Sequence, residues 1–158
     1  MSNERRPSYA SVAPQVREIM LQLTAGIHTL GLPEKLLRLV FLRASQLNGC
    51  AFCVDMHAKD MRAAGESEQR VYMTAVWRES ALYDAKERAA LAWTEAVTLL
   101  PNREVSDEAY HEAKAQFSDS ELAKLTLAVI EINGWNRLNI AFRTPAGHYQ
   151  PNARAKAG

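Results

Sequence analysis

Residues 33–57 read Pro33-Glu34-Lys35-Leu36-Leu37-Arg38-Leu39-Val40-Phe41-Leu42-Arg43-Ala44-Ser45-Gln46-Leu47-Asn48-Gly49-Cys50-Ala51-Phe52-Cys53-Val54-Asp55-Met56-His57. Leu36, Leu37, Val40 and Ala44 recur at the period of one helix face, which predicts a helix over about 33–47 with these four residues facing inward. Pro33 sits at a first-turn position, where a missing N–H costs nothing. Asn48 and Gly49 break the pattern. A new helix is expected to begin near Cys50 and to end at Gly65. No alternation of the kind a strand requires competes with this helix-break-helix reading.

The same period extends in both directions. Upstream, Val16, Ile19, Leu23, Ile27 and Leu30 form one stripe, predicting a helix from about Pro14 to Leu30 that Gly31 ends. Downstream, a short helix is expected over about 67–77. Asp84 and Glu87 form a capping-box pair that opens a helix to about Leu99. Pro101 and Asn102 stop it. Ser106 can cap a helix ending near Phe117, and Ser118 with Glu121 is a second capping-box pair opening a long helix to about Phe142. That last helix carries Leu122, Leu125, Val129 and Ile132 on one stripe and Leu127, Ile130 and Leu138 on others. Such a helix is buried on several sides, in a bundle centre or an oligomer interface. The fold class expected is all-α, in a multi-helical and oligomeric bundle. Residues 1–13 are expected to be a loose arm, 14–145 the helical domain, and 146–158 a frayed tail.

Hydrophobic residues make up 47% of the 158 residues, enough for one packed core. The formal net charge of +1 leaves no basic field for phosphate, so nucleic acid is not an expected partner. The apolar stretches are too short for a membrane span. Met1 to Tyr9 is polar, carries Arg5 and Arg6, and leads into no apolar leader segment, so a cytoplasmic location is expected. In that compartment paired cysteines are reduced, metal-bound or catalytic more often than structural.

The chain has two cysteines, Cys50 and Cys53, three residues apart. On one helix Cys50, Cys53 and His57 share a face. His57 lies one turn from Cys53, about 6 Å along the axis, and roughly 10 Å from Cys50. His57 can therefore serve Cys53 and not easily Cys50. A helix N-terminus favours a negative charge on Cys50, and an imidazole beside Cys53 can take or pair with its proton. Peroxide turns a thiolate into a sulfenic acid, which a neighbouring thiol condenses to a disulfide. Other uses of the pair stay open: half of a zinc site, lacking a second pair and with only His28, His111 and His148 as distant donors, or two inert buried thiols. Trp77, Trp93 and Trp135 read as core or interface, and Asn133, Asn136 and Arg137 as residues that satisfy buried groups on an apolar helix. Lys59, Asp60 and Arg62 read as a solvated face.

The run Leu39 to His57 resembles the carboxymuconolactone decarboxylase superfamily, and most its AhpD-like alkylhydroperoxidase branch. The likeness continues at Glu87-Arg88-Ala89-Ala90-Leu91 and at Ile132-Asn133-Gly134-Trp135-Asn136-Arg137-Leu138. The resemblance implies an all-helical fold assembled into trimers or hexamers. It also implies reduction of hydroperoxides through the CxxC disulfide, recharged by a dithiol donor such as a lipoylated or thioredoxin-like protein. By motif, Cys53 corresponds to the peroxide-attacking thiol, Cys50 to the resolving thiol and His57 to the proton relay. No cofactor and no metal are implied. The family pattern carries a glutamate twelve positions before the first cysteine, where this chain has Arg38, and Glu34 lies one turn earlier. Arg38 is the expected modulator: a guanidinium facing the thiols would lower a cysteine pKa and disfavour protonated His57. The competing functions are a lactone decarboxylase, which needs no thiols, and a non-catalytic helical oligomer that senses redox state or binds zinc.

Overall fold

A computed structural model describes residues 6–151. The order is α1 (Tyr9–Val12), α2 (Pro14–His28), α3 (Glu34–Asn48), α4 (Ala51–Ala63), α5 (Glu68–Met73), α6 (Ala85–Leu99), α7 (Asp107–Lys114) and α8 (Asp119–Ala141). Two 3-10 turns, Thr74–Glu79 and Pro101–Arg103, join α5 to α6 and α6 to α7. No strand occurs among the described residues.

The helix starts follow side-chain chemistry. The Glu87 N–H donates to Asp84 at 2.8 Å and the Asp84 N–H to Glu87 at 3.0 Å, so both members of that capping box are made. Ser118 and Glu121 make the second, and Ser106 caps α7. Pro33 stands just outside α3, as its N-cap. Gly49 closes α3 in the left-handed region, with φ 70°, which a residue bearing a Cβ adopts only at a cost.

α3 is the central element. It packs against α4, α6 and α8. Leu36, Leu37, Val40, Phe41 and Ala44 enter one apolar cluster with Ile27, Ala90, Leu125, Val129 and Ile132. Leu39 and Leu42 enter a second with Met61, Trp77, Tyr83 and Leu91. The inward face of α3 is thus wider than the four positions its periodicity suggests, because partners cover it on both sides. Trp77 and Trp93 lie in the core, as read from the sequence.

Four expectations change. The α2 stripe is buried only toward its C-terminus: Val16 and Ile19 face outward, Ile19 at 64% exposure, because α8 covers only the later turns. The helix expected over 67–77 stops at Met73 and tightens into a 3-10 turn, with Val76 leaving helical geometry (φ −126°, ψ 32°). The arm is not loose where it is described: Tyr9 is buried, with its ring 5.7 Å from that of Phe142. The tail is not frayed as far as Pro151, because it is tied to α4. The Gly147 N–H donates to Asp55 at 3.1 Å, Lys59 donates to the Gly147 and Tyr149 carbonyls, and the Tyr149 hydroxyl donates to Asp60 at 2.7 Å. Lys59 and Asp60 therefore belong to this strap rather than to a solvated face. The rest of the arm (1–5) and of the tail (152–158) lies outside the described residues.

Candidate functional site: a dithiol at a helix start

The site forms where α3 hands over to α4. Gly49 turns the chain, and the Cys50 N–H returns to the Ser45 carbonyl at 3.0 Å. Cys50 is then the N-cap of α4 rather than its first helical residue. Its Sγ accepts the Cys53 N–H at 3.3 Å, the role a serine or aspartate oxygen usually fills. With Cα atoms 5.3 Å apart, Cys50 and Cys53 are joined as a disulfide. Each cysteine is 1% exposed.

Two side chains flank this pair. His57, a turn further along α4, lies under the Phe41 ring of α3, with ring centroids 5.4 Å apart. It is 8% exposed, and its Nε2 has no hydrogen-bond partner among the described residues. Burial lowers its pKa from 6.5 to about 4, because a charged imidazole there would lose its hydration. From α8, Asn139 donates through Nδ2 to Cys53 Sγ at 3.6 Å, within reach for the large sulfur atom.

A polar seam fixes the register of this handover against α8. Asn48 donates to Asn136 at 2.8 Å and to Asn133 at 3.0 Å, Asn136 donates to Ser45 at 3.0 Å, and Asn133 donates to Thr98 at 3.0 Å. Asn133 and Asn136 thus satisfy buried groups, as their positions on an apolar helix suggest. Asn139 escapes the motif-based reading. Its signal in the sequence is the spacing Asn133, Asn136, Asn139, which puts three amides on one face of α8.

Arg38 does not turn toward the thiols. Its guanidinium lies 4.0 Å from Glu34 and faces Asp60, whose pKa is raised by burial, with the Tyr149 hydroxyl and then Arg38 opposing that rise. Asp60 is two turns beyond Cys53, about 10 Å along α4. The expected modulator therefore sits at the other end of the α3–α4 contact, where acids neutralise it. Among the described residues no group of three or more His, Cys, Asp or Glu side chains is arranged to hold a metal.

Comparison with known proteins identifies the family and the fold. The family profile described as carboxymuconolactone decarboxylase family matches residues 14–96. The chain is 39% identical to the uncharacterized protein YdfG of Bacillus subtilis, over 87% of this chain and 93% of that protein. It is 32% identical to the uncharacterized protein YnjA of Escherichia coli, over 68% of this chain and 59% of that protein. A crystal structure from Agrobacterium tumefaciens, of a protein of unknown function named as a candidate antioxidant defence protein AhpD, superposes with a TM-score of 0.88. It is 40% identical, over 92% of this chain and all of that one. The debrominase Bmp8 shares the fold, with a TM-score of 0.78 at 19% identity, over 87% of this chain and 74% of that chain.

Proposed function

We propose that this chain, which belongs to the carboxymuconolactone decarboxylase family, is an AhpD-like dithiol peroxidase that reduces hydroperoxides. The observation that carries this reading is the Cys50–Cys53 pair at the start of α4, bonded to each other, with His57 one turn below. A lactone decarboxylase has no use for such a pair, and a zinc site would need ligands that the described residues do not bring to it.

The reaction runs in three steps. The Cys53 thiolate attacks the terminal oxygen of the hydroperoxide: an S–O bond forms, the O–O bond breaks, and two electrons pass from sulfur to oxygen. The departing alkoxide takes the proton released when the Cys53 thiol ionised and leaves as an alcohol. The Cys50 thiol then displaces water from the Cys53 sulfenic acid and closes the disulfide. A dithiol donor, lipoylated or thioredoxin-like, supplies two electrons and two protons and restores both thiols. His57 is neutral at physiological pH, so it works as a proton relay rather than as a resident cation. Cys50 gains from the helix start, where the N-terminal dipole favours a thiolate as leaving group when the donor opens the disulfide.

The test is turnover of hydrogen peroxide and an alkyl hydroperoxide with dihydrolipoamide, reduced thioredoxin and glutathione offered in turn. Turnover with at least one dithiol, abolished in Cys53→Ser and Cys50→Ser, is expected. Equal turnover in Cys53→Ser would remove the dithiol from the reaction.

A further inference from the structure

For Cys53 to attack a hydroperoxide, something must hold its thiolate. A free thiol has a pKa near 8.5, and His57, lowered to about 4, is too weak a base to keep its proton. Arg38 is committed to Glu34 and Asp60. The remaining groups at the sulfur are the start of α4 and the carboxamide of Asn139.

Asn139 is 5% exposed and points into the site from α8. Its orientation is fixed by chemistry. Nδ2 donates to the Trp135 carbonyl at 2.9 Å, and a carbonyl accepts only from the NH2 side of the amide. The second hydrogen of the same nitrogen is directed at Cys53 Sγ. Oδ1, on the other side, is buried and accepts no hydrogen bond among the described residues. His57 Nε2 is in the same condition. Two buried polar atoms without partners, both on residues that flank the same sulfur, are what a site for a small polar molecule requires.

We propose that Asn139 is a catalytic residue of the peroxidase reaction, its Nδ2 holding the Cys53 thiolate and its Oδ1 accepting the O–H of the bound hydroperoxide. This inference rests on the peroxidase reading and adds a residue to it. One amide then places the attacking atom and the attacked atom side by side. The hydrogen held by Oδ1 belongs to the terminal oxygen of R–O–O–H, the oxygen that sulfur attacks. It stays on that oxygen when the S–O bond forms and the O–O bond breaks, so Oδ1 bonds to the S–O–H product without a proton crossing. The departing RO⁻ takes the proton that the Cys53 thiol gave up on ionising, returned through solvent with His57 as a relay. The structural alternative is an asparagine that only bonds back to its own helix at Trp135.

The test is thiolate absorbance against pH on the reduced, full-length chain carrying Cys50→Ser, so that Cys53 alone reports. The titratable groups around the sulfur are then His57 of α4 and, further along, Asp60 with Arg38 of α3. Asn139→Ala should raise the Cys53 pKa by about one, a tenfold loss of ionisation, as expected for losing a hydrogen bond to a charged atom. Asn139→Asp, which keeps the shape and an acceptor but loses the donor, should raise it further. Arg38→Ala should titrate like the parent. In the chain with both cysteines, the rate against hydroperoxide, corrected for thiolate fraction, should fall further in Asn139→Ala than in Asn139→Asp, because only the latter keeps an acceptor. An unchanged titration in both Asn139 variants, whatever their melting temperatures, overturns the proposal, as does an equal shift in Arg38→Ala. The titration needs no peroxide. Loss of peroxidase activity in the parent would sink the broader reading while leaving the amide–sulfur bond measurable, and the reverse outcome would sink Asn139 alone.

Discussion

At the scale of single residues the site is defined by burial. His57 is enclosed by Phe41 and by its own helix, and burial holds its imidazole near 4 rather than 6.5. The consequence reaches stability. Above pH 6.5 the imidazole is neutral in both folded and unfolded chains and contributes no pH dependence. Between 6.5 and 4 the unfolded chain takes up a proton that the folded chain refuses, so stability falls as pH falls. The full effect is about 3 kcal/mol. Urea unfolding of the parent and of His57→Gln from pH 7 to 4.5 measures it: the parent should lose more stability than the variant, which lacks this proton uptake. Parallel curves would place His57 in contact with water. His57 and the two cysteines are legible in the sequence because their spacing alone puts them on one face. Burial is not legible there, since it depends on Phe41 and Asn139 arriving from α3 and α8. The expected role of Arg38 fails for a related reason: sequence position tells which helix contact it joins, and not that Glu34 and Asp60 draw it away from the sulfur.

At the scale of elements the starts and stops were readable because they are local. Asp84 with Glu87, Ser118 with Glu121, and Gly49 each act within one turn. What periodicity could not give is which apolar face finds a partner. The outward faces of α2 and α8 leave Ile19 at 64%, Ile130 at 55% and Ile140 at 44% exposure, large apolar groups that a monomer would present to water. These faces are expected to meet in a homo-oligomer. Light scattering at micromolar concentration should then return a multiple of 17.6 kDa, and lysine at both Ile19 and Ile130 should lower it. A parent mass of one chain would contradict the expectation. The strap from Gly147 to Tyr149 was missed because its hydrogen bonds come largely from backbone groups and are anchored on Asp55, Lys59 and Asp60, about ninety positions upstream.

At the scale of the molecule, the bundle exists to bring the end of α3, the start of α4 and one face of α8 together around two sulfurs. The asparagine seam from Ser45 to Thr98 locks that junction, and no helix among the described residues is long and apolar enough to cross a membrane. We propose that Cys50 and Cys53 pass two electrons to a hydroperoxide and close on each other. This transfer is tested most directly by mixing the fully reduced chain with one equivalent of hydroperoxide and following thiols, alcohol and intact mass together. Each chain is expected to lose both thiols and two hydrogen atoms, with one molecule of alcohol and one of water released per alkyl hydroperoxide and no link between chains. Oxygen retained on one cysteine, as a lasting sulfenic acid, while the other stays a free thiol would contradict it.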